Sequence, residues 1–431
     1  MEFKDIKIEG IGGIRQVELE FNPKVNIICG PNSIGKTTIL ECIAHTCAWG
    51  STGILKKNAL AEEGCVSANL ALEDEEKTIT YHIKNFPPQM KDHLNLSHYS
   101  FASSILSIKA LRQFGYTELK YVTHDNVKLD WQNGEETESG IDNSDLKNWF
   151  VNRYLFSDKE GALRQSQLDN FELAKECFSF INPNFRFKTV LAESYDIIIE
   201  TRNGDIYYEY LSSGYKSILF ILFGIIKEIE VRFKDPAISA RDFNGVILID
   251  EIELHLHPEW QSKIISVLTK TFPKAQFFIT THSPHVIQTA APSQVIPLEE
   301  TEVGILRKKE IAVTEYGFQG WTIEEILRDV MGMEVLRPNR YLRTLEEFRD
   351  SVEKNNRKKA EQAYSILCSI LHPGNVTRKI LEIQLSGVVD EEEMESEMQE
   401  RSSHTALKVI EKTEEHLTPK TEDSTLEEAE K

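Results

Sequence analysis

The sequence has only six cysteines in 431 residues. Cys29, Cys42, Cys47, Cys65, Cys177 and Cys368 are scattered, with no C-x-x-C pair and no histidine cluster at zinc-ligand spacing. That excludes a disulfide frame and a zinc ribbon, and predicts reduced thiols in a cytoplasmic core. Long apolar runs are lacking as well. The longest, ILFILFGII at 218–226, falls well short of the about 20 residues a bilayer span needs, so it predicts a buried helix and no membrane partner. The opening MEFKDIKIEG mixes charges without an apolar stretch and does not read as a signal peptide. Positive charge is the scarcer sign: 49 Lys and Arg stand against 69 Asp and Glu, a net of −20. Such a chain is a poor bulk binder of nucleic acid, although a local basic groove remains open to DNA. Half of the net charge sits in residues 390–431, where 15 acidic residues face 5 basic ones. That tail, with few aromatics, predicts disorder or weak helix. No internal repeat and no heptad run long enough for a coiled-coil arm is present.

What the chain does have is a strand-rich start and a set of buried runs. FKDIKIEGIGGIRQVELEF alternates like an antiparallel pair broken at Gly12-Gly13, and VNIICG follows as an apolar strand. A helical pattern covers 35–48, and VSANLALEDEEKTITYHIK reads as two strands around an acidic turn. From 94 to 182 the pattern predicts a mostly helical insertion, with Phe101, Ile105, Ile108, Leu111 and Phe114 at helical spacing, and likewise Leu146, Trp149, Phe150 and Tyr154. YDIIIETRNGDIYYEY predicts a hairpin turning at Asn203-Gly204. GVILID and AQFFITTH predict buried strands, with a helix over 258–272 between them and helical, partly basic sequence over 323–371.

Three motifs carry chemistry. Gly30, Pro31, Asn32, Ser33, Ile34, Gly35, Lys36 and Thr37 spell G-x-x-x-x-G-K-T after an apolar strand and before a helix, the setting in which such a loop cradles phosphates. Its amides and the helix N-terminus, reaching Thr38, supply positive potential. Lys36 would reach the β- and γ-phosphates of ATP and Thr37 would ligate Mg²⁺. In VILIDEIELHLHPEW, four apolar residues deliver Asp250 and Glu251 to a strand end. Asp250 suits the Mg²⁺ shell and Glu251 suits a general base for the attacking water. His255 and His257 follow, too few for a metal site of their own. In FFITTHSPHVI, His282 falls just beyond a strand, where ligands gather in α/β folds and an imidazole can meet a γ-phosphate or the water attacking it.

The order P-loop, long insertion, LSSGYKS (211–217), ILIDEIELHLHP, ITTHSP resembles the ABC-type ATPases, in particular the soluble branch that includes the SMC, RecF and OLD proteins. The resemblance spans about residues 5–290. It implies an α/β fold: a P-loop ATPase head of mixed sheet with flanking helices and an antiparallel β subdomain, plus a helical insertion and a helical C-terminal extension. The corresponding segments are 1–95 (first lobe), 96–190 (insertion), 191–310 (second lobe), 311–385 (helical region) and 386–431 (acidic tail). It further implies that Ser212, Ser213 and Gly214 contact ATP held by a second copy, so that the chain forms a homodimer or larger oligomer. Tyr215 departs from the Gln or Glu usual at that position of the signature. Gln89, Gln113, Gln165 and Gln167 all lie where the family's Q-loop glutamine could fall. The metal-binding carboxylates of the OLD nuclease domain have no counterpart after Pro292, where the acidic run DEEEMESEM reads as solvated tail.

GFQGWTIEEILRDVMGM (317–333) and the helical end are similar to the ATPase subunits of Septu anti-phage systems, whose relatives accompany some retrons. That resemblance implies a sensing or regulatory ATPase acting on a separate HNH-type nuclease, with DNA met through the complex. Two other readings remain at this level: a RecF- or OLD-like repair ATPase on duplex DNA, with Arg337, Arg340, Arg343, Arg357, Lys358 and Lys359 as its basic footprint, and a nucleotide-gated scaffold with negligible turnover.

Overall fold

The computed structural model describes residues 1–388, apart from 73–74, 95–98, 113–115, 117 and 126–127. Gln113, Phe114 and the tail from 389, with its acidic run, lie outside the described residues. The described chain divides into two compact units, 1–334 and the residues from Val335 on.

In the first unit, β1 (Glu2–Ile11) and β2 (Ile14–Glu20) form the hairpin around Gly12-Gly13. The fully buried β3 (Val25–Cys29) runs into the P-loop and then α1 (Lys36–His45). The pair β4 (Gly50–Thr52) and β7 (Asp92–Leu94) flanks β5 (Gly64–Ala71) and β6 (Glu76–Ile83) in sequence. After β8 (Ile105–Ile108) come three helices, α2 (Asp130–Ser139), α3 (Leu146–Ser157) and α4 (Gln165–Ile181). A three-stranded antiparallel sheet follows, β9 (Arg186–Val190), β10 (Ile197–Thr201) and β11 (Gly204–Tyr207), turning at Asn203-Gly204 as expected. It leads into the 20-residue α5 (Ser213–Arg232). Then come β12 (Val246–Ile249), α6 (Pro258–Gln261), α7 (Ile264–Thr271), β13 (Gln276–Thr280), α8 (Pro284–Gln288), β14 (Val295–Glu300) and β15 (Leu306–Lys308). The unit closes on the short helical turn α9 (Ile323–Glu325), which continues into a π-turn over Ile326–Val330.

The central sheet has the order β15-β14-β3-β13-β12-β8, parallel throughout except for the antiparallel edge β15. A second sheet, β2-β1-β5-β6, is antiparallel. Strands buried on both faces read as continuous apolar runs, and here successive residues feed different cores. Ile27, Ile247, Ile249, Phe277 and Ile279 pack against α3, α4, α5 and α7. Ile28, Val246, Leu248 and Phe278 pack against α1 and the antiparallel sheet. The architecture is therefore the mixed sheet with flanking helices and antiparallel β subdomain that the motif order implied.

Two expectations change. Ile105 and Ile108 lie not on a helix but on β8, the edge strand beside β12. Their three-residue spacing fits a helix face, but in a strand it sends the two to opposite sides, and Ile105 joins one core while Ile108 joins the other. Leu111, expected on the same apolar face, is 81% exposed. Short apolar runs do not separate helix from strand by period alone. The expected helix over 258–272 is two, α6 and α7.

The second unit holds α10 (Asn339–Glu353), α11 (Arg357–Ile370) and α12 (Val376–Ser386) around a small core of Tyr341, Phe348, Ala360, Leu367 and Leu381. The basic residues from Arg337 to Lys359 fall in or beside α10 and α11, with Arg357 paired to Glu361.

Candidate nucleotide-binding site

Strand order builds the site. Because β13 sits between β3 and β12 and all three are parallel, their carboxyl ends share one edge, where open α/β sheets bind ligands. The P-loop leaves β3, Asp250 and Glu251 leave β12, and Thr280 ends β13 with Thr281 and His282 just beyond it. Gly30 and Gly35 have φ of 144° and 105°, and Ser33 is held at 62°. A Cβ on Gly35 would lie 2.9 Å from Ile14 Cγ1, so close packing as well as backbone sign requires glycine there.

The side chains interlock at that edge. Lys36 curls back so that its Nζ donates to the carbonyls of Gly30 at 3.1 Å and Pro31 at 2.8 Å. Burial lowers its pKa, against the pull of Cys29, Glu253, Glu251 and Asp250. Thr37 Oγ1 donates to Asp250 Oδ1 at 3.1 Å. Thr280 Oγ1 donates to the same oxygen at 2.5 Å and accepts the amide of Glu251 at 2.8 Å. That amide bond fixes the turn in which Glu251 takes φ 46°. The His282 side chain is exposed, but its main-chain N–H donates to Glu253 Oε1 at 2.5 Å, and Thr281 Oγ1 donates to Glu253 Oε2 at 2.7 Å. Partial desolvation and the nearby Lys36 ammonium lower the His282 pKa, which keeps the ring neutral near pH 7.

The edge fits Mg²⁺-nucleotide. Among the described residues no group of three or more His, Cys, Asp and Glu forms a metal cage. Mg²⁺ does not need one, since it is characteristically held by one or two carboxylates together with substrate phosphates. Thr37 and Asp250 supply a hydroxyl and a carboxylate already in contact, and the Lys36 ammonium would exchange two carbonyls for phosphate oxygens. His255 and His257 stay outside this group; His257 caps α6, its Nδ1 accepting the Glu259 amide at 3.3 Å.

The signature stretch lies at the N-terminus of α5. Ser212 is its N-cap, accepting the Tyr215 amide at 3.4 Å, and Ser212 and Ser213 are exposed. Gly214 is buried, and a Cβ there would lie 2.5 Å from the His255 carbonyl and 2.7 Å from the Trp260 ring. Tyr215 turns inward: its hydroxyl donates to the Phe178 carbonyl on α4 and its ring packs on Phe185 and Trp260 at 5.0 and 5.6 Å. The residue at the unusual signature position is thus an anchor into the core.

Four further residues belong to the site although no role was read for them in the sequence. Glu253, Thr280 and Thr281 lie within the quoted runs D-E-x-E and T-T-H-S-P, so their signal was present. Arg112 had none. Its guanidinium donates to the Asp250 carbonyl at 2.8 Å, the Glu251 carbonyl at 3.2 Å and Ser217 Oγ at 3.3 Å. It thereby ties the turn after β12 to α5, and burial pulls its pKa down to about 10. Of the Q-loop candidates, Gln165 bonds Asp169, and Gln167 bonds the Arg164 amide at the start of α4. Gln167 also donates to Glu230 of α5 at 3.5 Å.

An AAA ATPase domain model matches residues 54–287, a span that holds the signature, Asp250, Glu251 and His282. The chain is 42% identical over 385 residues to the Septu protein PtuA of Bacillus thuringiensis, covering 89% of this chain and 97% of that protein. It is 27% identical over 223 residues to the Retron Ec83 probable ATPase of Escherichia coli, covering 51% of this chain and 39% of that protein. Among solved structures it is similar to the SMC head domain from Thermotoga maritima, with a TM-score of 0.42, 15% identity, and coverage of 73% of this chain and 100% of that one. No helix among the described residues is long and apolar enough to cross a membrane. The chain belongs to the AAA ATPase domain family and, within it, to the PtuA-like ATPases of anti-phage defence systems.

Proposed function

We propose that two copies of this ATPase close head to tail on two molecules of Mg²⁺-ATP, and that the cycle controls a separate HNH-type nuclease, through which the complex meets DNA. The observation that carries the reading is the separation of chemistry within one chain. The P-loop, Asp250 and Glu251 converge on one sheet edge, while Ser212 and Ser213 stand exposed at the start of α5. A helix N-terminus that carries exposed serines suits an anion, and the γ-phosphate of a neighbour's ATP would supply one.

In the proposed cycle Lys36 and the loop amides hold the phosphates, and Thr37 and Asp250 hold the metal. When bound, the metal would neutralise phosphate charge. Glu251 orients water and takes its proton, and His282, neutral and tethered through its own amide to Glu253, hydrogen-bonds the phosphate or the water. The test is light scattering with ATP on the Glu251→Gln protein, which should accumulate as an ATP-bound dimer, while Ser212→Arg in that background should remain monomeric. A Glu251→Gln protein that stays monomeric at saturating ATP overturns the sandwich. The nuclease half is tested by co-purifying the product of the adjacent gene. It should carry an HNH motif and cleave DNA in a manner that Glu251→Gln alters; cleavage indifferent to that substitution overturns it.

A further inference from the structure

Arg112 is only 4% exposed, yet its hydrogen-bond partners are all neutral: two main-chain carbonyls and a hydroxyl. Its Nε is shut from solvent without a partner. The carboxylates of Glu253, Asp250 and Glu251 lie near enough to offset the burial in part. A buried cation is costly unless it is paired and fully hydrogen-bonded. This one is therefore kept for what it holds, and the stability it brings is a poor reason for its burial.

What it holds follows from where the strands end. β8 stops at Ile108, whose carbonyl accepts the Asp250 N–H at 3.0 Å. Past that point no strand remains on this side of the chain leaving β12, since β8 is the sheet's edge. The guanidinium takes the missing strand's place, with Nη2 donating to the Asp250 and Glu251 carbonyls at 2.8 and 3.2 Å. Glu251 gives its N–H to the other neighbour, Thr280 Oγ1 at the end of β13, at 2.8 Å. Both main-chain polar groups of Glu251 are thus held, one from each flank, while its φ stands at 46°. A left-handed conformation is strained for a residue with a Cβ and persists where the surroundings over-determine it, often at active sites. The Glu251 carboxylate stays within electrostatic reach of Lys36 and His282.

The other arm of the fork reaches a rigid support. Nη1 donates to Ser217 Oγ at 3.3 Å, and that hydroxyl donates to the Leu254 carbonyl at 3.3 Å. Ser217 is fully buried in α5, a 20-residue helix whose apolar residues run through the larger core. The turn from Asp250 to Leu254 is therefore set against a packed helix, the kind of platform on which a site keeps its geometry.

We infer that Arg112 is a positioning residue for Glu251, its fork fixing the main-chain turn that aims the carboxylate at the attacking water. It touches neither nucleotide nor metal, and its role rests on Glu251 being the base, as proposed above. Lysine is no substitute, because an ammonium lacks the planar fork that spans two carbonyls and a hydroxyl.

The experiment measures single-turnover ATP hydrolysis at saturating concentrations, and equilibrium ATP binding, on the full chain. Arg112→Met and Arg112→Lys are each made alone and together with Glu251→Gln, and circular dichroism establishes that each protein is folded. Alone, Arg112→Met should slow hydrolysis by roughly 10–100-fold, the cost of a misplaced reacting group. Arg112→Lys should slow it by roughly tenfold, and it carries the reading by itself if Arg112→Met fails to fold. ATP affinity should stay unchanged in both, because Lys36 and the loop amides hold the phosphates. In the Glu251→Gln background neither substitution should slow hydrolysis further, since a base already lost is not misplaced again. Full turnover in Arg112→Lys, the same fold loss in both backgrounds, or a loss of ATP affinity as large as the loss of rate would each overturn the role of Arg112. A Glu251→Gln protein that hydrolyses ATP at the unaltered rate would instead overturn the base itself, which keeps the two failures apart.

Discussion

The carboxyl edge of the parallel sheet and the turn that opens α5 are proposed to grip one ATP from two chains, and they are held in different ways. At the sheet edge, side chains bond to one another: Thr37 and Thr280 share Asp250 Oδ1, and Glu253 ties down Thr281 and His282. At the start of α5 the hydroxyls are exposed, and order comes from behind, through Gly214 against the 255–260 segment and Tyr215 against α4. The first half is prearranged by polar contacts, the second by packing. Arg112 joins them by reaching both the Asp250 carbonyl and Ser217. The lesson is that a site shared between copies can be rigid in each copy without being complete in either.

The comparison breaks most severely at the chemistry. Glu251→Gln should lower ATP turnover by about 10²–10⁴-fold, the range for a lost general base, while leaving ATP affinity near that of the unaltered protein. Phosphate release and equilibrium binding, measured side by side, check both halves of that statement. Lys36→Ala should instead weaken ATP binding by roughly 10–100-fold, the value of one charge-assisted contact.

Acid should attack the sheet-edge half through α1. His45 is fully buried there, its ring nitrogens bonded to the Glu41 carbonyl at 2.7 Å and Thr52 Oγ1 at 2.8 Å, and burial lowers its pKa from 6.5 to about 4. The unfolded chain therefore binds a proton that the folded chain refuses. The stabilisation is whole above pH 6.5 and is lost as pH falls toward 4, a total of about 3 kcal/mol. Urea unfolding at stepped pH should show the decline, and His45→Gln should flatten it over that window. Equal slopes in the two proteins would remove His45 as the cause.

The signature half should break by steric means. Gly214→Val places side-chain atoms where even a Cβ would stand 2.5 Å from a carbonyl, so α5 must shift at about 1–3 kcal/mol, the usual cost of overpacking. Light scattering with ATP should show the dimer lost, while ATP still binds each P-loop. A Gly214→Val protein that dimerises normally would mean that the turn does not meet the neighbour.

How far the sequence revealed these two halves follows from the same contrast. P-loop, D-E and T-T-H-S-P are local strings on strand ends, and β3, β12 and β13 are apolar runs with one reading, so the sheet edge and its occupants were legible. β8 was not, because a four-residue run such as Ile-Leu-Ser-Ile fits a helix and a strand equally until the pairing with β12 is known. Arg112 was hidden for the same reason, since its partners, two carbonyls and the Ser217 hydroxyl, lie more than a hundred residues away. Tyr215 looked like a defect in a ligand-facing motif because a linear string does not say which of its letters point inward.

Tyr215 also gives the smallest and sharpest test. Tyr215→Phe keeps the ring against Phe185 and Trp260 and removes only the hydroxyl that donates to the Phe178 carbonyl. Leaving that buried acceptor unpaired should lower stability by about 1 kcal/mol, read as a fall in Tm. If the hydroxyl serves packing behind the signature and not the nucleotide, ATP affinity, dimerisation and turnover should stay as they were. A marked loss of ATP-driven dimerisation in a Tyr215→Phe protein that is still fully folded would place the hydroxyl in the shared site, and the distinction between a polar half and a packed half would fall.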